Sequence, residues 1–225
     1  MKTPRVRMTP PTLLGAGVVL CITALTGCGK GADQNPGIAS GPVRDDLYSL
    51  DESMLIDEGS VPPLTGTSWG AMVAVPRGQE PLVSPAGCEV FLSQGAAVQK
   101  GLAMRSSKNA AIGVSLTVPT ERADLAALYE RCRVFTFIAP GAESSVALEP
   151  WAVDGLPDGT ISTLMHCRTV RGEQILEWDI AAIMGFHRGV LVTAQYTPGP
   201  QGGDFDSALA SQLDGVYLAQ IAKLG

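Results

Sequence analysis

The sequence has few histidines and an excess of acidic residues, and both features exclude classes of function. Its 2 histidines, His166 and His187, have no partner at the spacing of a metal site. Since a structural zinc site needs four ligands, we expect no metal. With 16 Lys and Arg against 22 Asp and Glu, the formal charge is −6. An acidic chain is repelled by phosphate backbones, so we expect no nucleic-acid partner. No glycine-rich nucleotide fingerprint is present, and no cofactor is expected.

Long apolar runs are also scarce, and the longest one lies at the N-terminus. Lys2, Arg5 and Arg7 precede an uncharged stretch whose apolar centre runs from Leu13 to Leu25. A membrane-spanning helix needs about 20 apolar residues, so this centre is short for a permanent anchor. A basic start, a short apolar middle and small residues at the exit are typical of a secretory signal peptide. We therefore predict a signal peptide over residues 1–27 and export of the remainder.

The exit of this segment is Leu25-Thr26-Gly27-Cys28, which resembles the bacterial lipobox. The resemblance implies that the chain is cut before Cys28 and that its thiol receives a diacylglycerol. Stable anchoring takes two membrane signals, and a diacylated cysteine supplies two chains at once. We expect a lipid anchor at Cys28 on the extracytoplasmic face of the cell membrane. The alternative is an ordinary signal peptide followed by a disulfide cysteine.

Residues 28–42 predict a flexible tether. Between Gly29 and Pro42 there is one large apolar residue, Ile38, so the segment cannot offset the entropy lost on ordering. As a flexible chain it would span roughly 20 Å. Residues 43–225 are long enough for one domain with its own core. Removal of 1–27 takes away three basic residues, which changes the formal charge from −6 to −9.

Apolar spacing predicts helices near both ends of this domain. A short helix is expected between Asp45 and Ile56. Ser84-Pro85 has the composition of a helix start, a capping hydroxyl followed by proline at the first helical position. Two further helices and a terminal helix from about Phe205 to Lys223 are expected. Their inward-facing positions are Cys88, Phe91 and Val98 in the first, Leu125, Leu128, Tyr129 and Cys132 in the second, and Leu209, Leu213 and Val216 in the terminal helix.

Alternating apolar residues predict strands through the middle of the domain. Ile112, Val114, Leu116 and Val118 alternate with small or polar residues, which indicates a half-buried strand. Five further strands separated by short turns are expected at 134–138, 145–153, 160–170, 174–184 and 189–196. Short returns favour an antiparallel meander. The fold class is therefore predicted to be α+β, with an antiparallel sheet and helices covering one face.

Three cysteines follow Cys28. Cys88 and Cys132 both lie on apolar helix faces, and export permits disulfides. We expect these two to form a bridge, which would close a loop of about 45 residues and stabilise the fold by roughly 4 kcal/mol. The alternative is two buried free thiols. Cys167 is expected to be a core thiol, and His166 beside it would point to the opposite face of a strand.

One catalytic pattern occurs, Gly66-Thr67-Ser68-Trp69-Gly70, which matches G-x-S-x-G. A serine hydrolase places this serine between a buried strand and a helix. Prolines before Ser68 and a short β-branched stretch after it disfavour that context. We therefore expect no enzyme activity, with a hydrolase using Ser68 as the least favoured alternative. The tryptophans Trp69, Trp151 and Trp178 are expected to pack in the core.

Four stretches carry a family resemblance: "PAGCEVFL", "IGVSLTV", "LYERCRVFTF" and "HRGVLVTAQY". From about Met54 to Gly225 they resemble the exported sensor-like domains of actinobacterial lipoproteins, which are similar to the extracellular domain of mycobacterial transmembrane Ser/Thr kinases. The resemblance implies a helix-flanked antiparallel sheet, a disulfide carried here by Cys88 and Cys132, and a ligand-binding cleft without catalysis. The expected function is binding of a small-molecule or lipid ligand, or sensing of one. The alternative is an interaction or scaffold protein with an envelope protein partner.

Overall fold

The computed structural model describes residues 46–74, 81–92, 97–107, 110–120, 122–139, 142–199 and 204–225, with the side chains of 74 and 97–105 excepted. All of these residues belong to one compact unit, Pro42–Gly225. The expected signal peptide (1–27), the lipidation site Cys28 and the tether up to residue 42 lie outside the described residues and stay predictions. Within the described part of the chain, no helix has the length and apolar character needed to cross a membrane.

The described residues form an antiparallel sheet of nine strands with helices on its faces. The strands are β1 (Met72–Ala74), β2 (Leu82–Ser84), β3 (Ala97–Ser106), β4 (Ala110–Pro119), β5 (Val134–Ala139), β6 (Ala142–Pro150), β7 (Ile161–Arg171), β8 (Gln174–His187) and β9 (Val190–Pro198). The helices are α1 (Leu125–Arg131), α2 (Ser207–Ala210) and α3 (Leu213–Leu224), with 3-10 helices at Glu52–Met54 and Cys88–Leu92. The predicted α+β class is confirmed.

The strand order is β1-β3-β4-β9-β8-β7-β6-β5-β2. From β5 to β9 each strand pairs with the next along the chain, which is the meander that the sequence predicts. Strand β9 then pairs with β4, so the meander and the β3–β4 hairpin form one continuous sheet.

Successive residues of a strand point to opposite faces, and this sheet has a core on each face. Ala181 and Ile183 of β8 belong to the core of what we name the front face. Ala182 and Met184 belong to the core of the back face. Helices α2 and α3 contribute to the front core, whereas α1 and the 3-10 helix Cys88–Leu92 contribute to the back core. The expectation that helices cover one face is therefore wrong, because the helices divide between both.

Gln220 fixes the N-terminal segment of the domain to helix α3. This side chain is fully buried. Its Oε1 accepts from the backbone N–H of Ile56 at 2.8 Å, and its Nε2 donates to the carbonyl of Met54 at 2.8 Å. A buried amide with both ends bonded holds the irregular segment in place where a regular ladder is missing.

The turn between β8 and β9 joins both ends of the described domain. Arg188 (φ 47°) and Gly189 (φ 79°) both have positive φ, as a type I′ turn requires. The Arg188 carbonyl accepts from the N–H of Leu47 at 2.8 Å, and its guanidinium donates to the carbonyl of Leu224 at the end of α3. A Cβ at Gly189 would come within 2.9 Å of Nη2 of Arg122.

Three predicted helices differ from the structure. Ser84 does not cap a helix, because it ends β2 and pairs with β5; a 3-10 helix follows at Cys88–Leu92, and Val98 lies in β3. The early helix is reduced to the 3-10 turn Glu52–Met54. The terminal helix is split into α2 and α3, and Asp206 caps α2 by accepting from the backbone N–H groups of Ala208 and Leu209.

Candidate interaction surface

Ser68 lies in a setting unlike that of a hydrolase nucleophile. The residue is exposed and belongs to an irregular segment. The element before it is the 3-10 helix Glu52–Met54 and the element after it is strand β1. A nucleophile elbow needs a strand before the serine and a helix after it, and the described neighbours supply neither.

The three described cysteines, Cys88, Cys132 and Cys167, all lie in the back core. Cys88 and Cys132 form a disulfide with their Cα atoms 5.6 Å apart, and both are fully buried in the back core. Cys167 is a free thiol, also buried in the back core. Burial, with the negative charge of Asp179 as a second cause, raises the pKa of Cys167 to about 12. Such a thiol stays protonated and unreactive at neutral pH.

The tryptophans pack against the two cores. Trp69 and Trp151 contact the front core, and Trp178 contacts the back core. All three are partly buried.

Part of the front face carries exposed side chains, and we name this part the open surface. Helix α3 packs on β4, β8 and β9. Beyond it, one row of directly opposed residues crosses five strands from β2 to β8: Leu82, Ile138, Glu143, Val170 and Ile175. Leu82, Ile138, Val170 and Ile175 are 73%, 53%, 37% and 55% exposed. We name this row the apolar row.

The size of the open surface follows from the spacing of the sheet. Four strand spacings of about 4.8 Å make the apolar row about 19 Å long. Two further register rows lie beside it, each about 7 Å further along the strands. With side chains at the margin, the area is on the order of 500 Å². An interface of this size is at the small end for protein complexes and is typical of transient ones.

Charged side chains occupy the two rows beside the apolar row. In the next row, Arg168 lies 3.5 Å from the carboxylate of Glu177. In the third row His166 lies opposite Asp179, and its Nδ1 is 2.8 Å from Oδ1 of that residue. Its Nε2 is 3.0 Å from Oε2 of Glu149 on β6. An imidazole thus bridges two carboxylates across three strands.

The electrostatics of this cluster favour a proton on His166. The hydrogen bond to Asp179 is the main cause that raises the pKa of His166, and the hydrogen bond to Glu149 adds to it, against an opposing effect of burial. The imidazole is 42% exposed, so solvent screens these interactions. The imidazole of His166 therefore keeps its proton to a higher pH than an unperturbed histidine does.

A metal is not the evident occupant of this cluster. Among the residues that the structure describes, no group of three or more His, Cys, Asp or Glu side chains is placed to hold a metal ion. The ring nitrogens of His166 are instead taken up by hydrogen bonds to Asp179 and Glu149.

The back face has a second feature, a set of buried hydroxyls on β4 and β9. Ser115 pairs in register with Thr193, and both side chains are buried, as is Thr117. The hydroxyl of Ser115 has no hydrogen-bond partner within the described part of the chain. A buried unpaired hydroxyl costs free energy, so this position merits a functional explanation.

Sequence reasoning did not find the open surface, although one signal for it was present. The strand 160–170 alternates, so that His166, Arg168 and Val170 share the face opposite Met165 and Cys167. That alternation was sufficient to place these three residues on one face. It could not show that, within the described ranges of the chain, no helix covers this part of the face.

Comparison with known proteins gives a distant structural likeness. No family model matches the sequence, and no curated protein matches it. Among solved structures, the chain is similar to one described as a putative uncharacterized protein, the Rv0999 ortholog, from Mycobacterium smegmatis. That match has 16% sequence identity and a TM-score of 0.40, and covers 73% of this chain and 92% of the other.

Proposed function

We propose that this protein is an exported, non-catalytic binding protein of the cell envelope, anchored by lipid at Cys28, which contacts another protein through the open surface. The observation that carries the proposal is the apolar row, in which four aliphatic side chains stand exposed across five paired strands. Exposed apolar side chains that stand next to each other on one sheet face, here as the pairs Leu82–Ile138 and Val170–Ile175, are typical of interaction sites.

The position of the apolar row favours a protein over the lipid surface as its target. The described chain begins at the β8–β9 turn, where Leu47 bonds to Arg188. Along β8, Ile175 lies 12 residues before His187 at that turn. At about 3.3 Å per residue this is about 40 Å of strand. The apolar row therefore lies far along β8 from the turn beside which the described chain begins.

The resemblance to actinobacterial sensor-like domains belongs to this proposal. A sensor-like module that passes a signal to a separate protein needs a surface for that protein. The open surface, which is small and suited to transient contact, meets this need.

Site-specific photocrosslinking in an actinobacterial host tests the proposal. A photoreactive residue at Ile138 or Ile175 should give the same crosslinked adduct from both positions. Leu176 is the matched control, because it neighbours Ile175, is 52% exposed and points to the back face. We expect no such adduct from Leu176. An equal adduct from Leu176, or none from Ile138 and Ile175, would contradict the proposed contact.

The lipid anchor has a separate test. A Cys28→Ala chain should stay uncleaved or leave the membrane fraction, because it lacks the acylated thiol. Normal processing and full membrane retention of that variant would show that the anchor prediction is wrong.

A second candidate function is binding of a small-molecule or lipid ligand at the back face. The buried hydroxyl of Ser115, which has no hydrogen-bond partner among the described residues, lies next to Thr193 and supports it. Native mass spectrometry of residues 29–225 purified from an actinobacterial host should then show an additional mass that solvent extraction removes. If Ser115→Ala leaves that mass bound in the same amount, the ligand does not use this hydroxyl.

A further inference from the structure

The charge of the open surface indicates the chemistry of its partner. This inference rests on the proposed function and specifies the kind of partner that binds there. Among the described residues of the open surface, four carboxylates, those of Glu143, Glu149, Glu177 and Asp179, stand against the one guanidinium of Arg168. Arg168 is paired with Glu177. The remaining carboxylates give the surface a negative potential, which attracts cations and repels anions.

Two other occupants conflict with this charge. A second copy docked front to front would bring two acidic surfaces together, and like charges across an interface are strongly disfavoured. Anionic phospholipid headgroups would be repelled in the same way. A cationic partner is the occupant that the charge favours.

We infer that the open surface binds a basic amphipathic segment of another protein, with aliphatic side chains along the apolar row and Lys or Arg side chains opposite Glu149 and Asp179. A helix of about 13 residues spans the length of about 19 Å of the apolar row. Along the strands, Glu177 and Asp179 lie about 7 and 13 Å to one side of that row, within reach of long cationic side chains from a helix about 10 Å wide. Glu149 belongs to the row beyond them, and its carboxylate reaches back to 3.0 Å from Nε2 of His166.

His166 sets the strength of this attraction. Its imidazole faces Glu149 on β6 and Asp179 on β8, and Arg168 and Glu177 occupy the adjacent row. A neutral imidazole leaves the charge of both carboxylates uncompensated, whereas a protonated one offsets one of them. Binding of a basic segment should therefore weaken as pH falls through the pKa of His166, which its two hydrogen bonds raise.

The test uses residues 28–225 with Cys28→Ser, a chain that retains the whole compact unit Pro42–Gly225. The probe is a synthetic peptide of about 14 Leu and Lys residues at helical spacing, and its matched control carries Glu in place of Lys. Amide chemical shifts measured by NMR during titration should change on β5 to β8 with the Lys peptide and not with the Glu peptide. Between pH 8.5 and pH 5.5 the affinity should fall about three- to fivefold.

Two pairs of variants separate specific binding from general attraction to an acidic protein. Ile175→Ala should weaken binding about five- to tenfold, whereas Leu176→Ala on the opposite face should have no effect. Glu149→Gln should weaken binding about threefold, and Glu130→Gln on α1, whose carboxylate is comparably exposed, should not.

The outcomes distinguish this inference from the function on which it rests. Equal binding of the Lys and Glu peptides, or equal effects within either pair of variants, would overturn the basic-segment inference. If the crosslink from Ile138 and Ile175 persisted in that case, the proposed protein contact would stand and its partner would be of another chemistry. If the peptide titration and the photocrosslinking both failed to give the expected result, the basic-segment inference and the proposed protein contact would both be wrong.

Discussion

Removal of the disulfide gives the sharpest quantitative prediction for the fold. The bond links the 3-10 helix Cys88–Leu92 to the residue that ends α1, and 44 positions separate its cysteines. The loop between them includes the whole β3–β4 hairpin. In the loop-entropy model, a crosslink that closes about 45 residues stabilises the folded state by about 4 kcal/mol. Cys88→Ala with Cys132→Ala should lose about this amount.

The loss can be measured by urea unfolding followed by circular dichroism. With a slope of about 2 kcal/mol per molar urea, 4 kcal/mol lowers the midpoint by about 2 M. For a chain of this length, the melting temperature should fall by about 8–16 °C. Reduction of the unmutated protein should give a similar shift without removing either buried sulfur, and so isolates the effect of the crosslink.

The control is Cys167→Ala, which removes a buried sulfur from the same core but opens no crosslink. It should cost about 1 kcal/mol. If the double variant or the reduced protein were destabilised no more than this control, the loop-entropy argument would be refuted for this chain. Peptide mapping without reductant should also link Cys88 to Cys132, and a link from either one to Cys167 would refute the pairing.

Three further predictions concern single side chains. Gln220→Met should destabilise the fold by about 2–3 kcal/mol, because it leaves the buried N–H of Ile56 and the carbonyl of Met54 without a partner; a loss under 1 kcal/mol by urea unfolding would show that water replaces the amide. Since the pKa of Cys167 is raised to about 12, its alkylation by iodoacetamide at pH 8 should be about a thousandfold slower than that of an unperturbed thiol until urea is added; rapid labelling of the folded protein would contradict this burial. The pKa of His166 is raised in the folded state, so its stabilising effect is fully present below the unfolded pKa of about 6.5 and is lost as pH rises through the folded value. His166→Gln should therefore reduce stability at pH 5.5 more than at pH 8.5, and an equal loss at both would exclude the ionic contribution.

Sequence patterns predicted the fold best where a structural feature depends on residues close together in the chain. Alternation from Ile112 to Val118 is matched by β4, and the meander from β5 to β9 follows from short turns between apolar stretches. The disulfide could be predicted because Cys88 and Cys132 each belong to an apolar pattern. Local signals failed at Ser84-Pro85, where pairing of β2 with β5 replaces the expected helix.

The open surface could not be predicted from local patterns because it depends on register. Glu149 is 17 residues from His166, and Asp179 is 13 residues from it. The β7–β8 register places Asp179 directly opposite His166, and the β6–β7 register places Glu149 diagonally, opposite Leu164. Those registers depend on turn geometry and on both cores together. Gln220 had a detectable signal, since it is a polar residue on the inward stripe of the terminal helix, four residues after Val216.

The β8–β9 turn has a mechanical consequence if Cys28 holds the chain in a membrane. A pull on the anchor enters the domain at Leu47, where one backbone hydrogen bond to Arg188 and the ion pair of Asp46 with Arg122 resist it. Packing of Leu50 against the front core and the pair of hydrogen bonds from Gln220 resist the pull further along the segment. Residues 46–56 should therefore peel away first and extend by about 35 Å while the sheet stays intact. By extending under force, the segment would keep movement of the membrane from loading the open surface while that surface is bound to its partner. Single-molecule pulling should show this short extension before the main unfolding event.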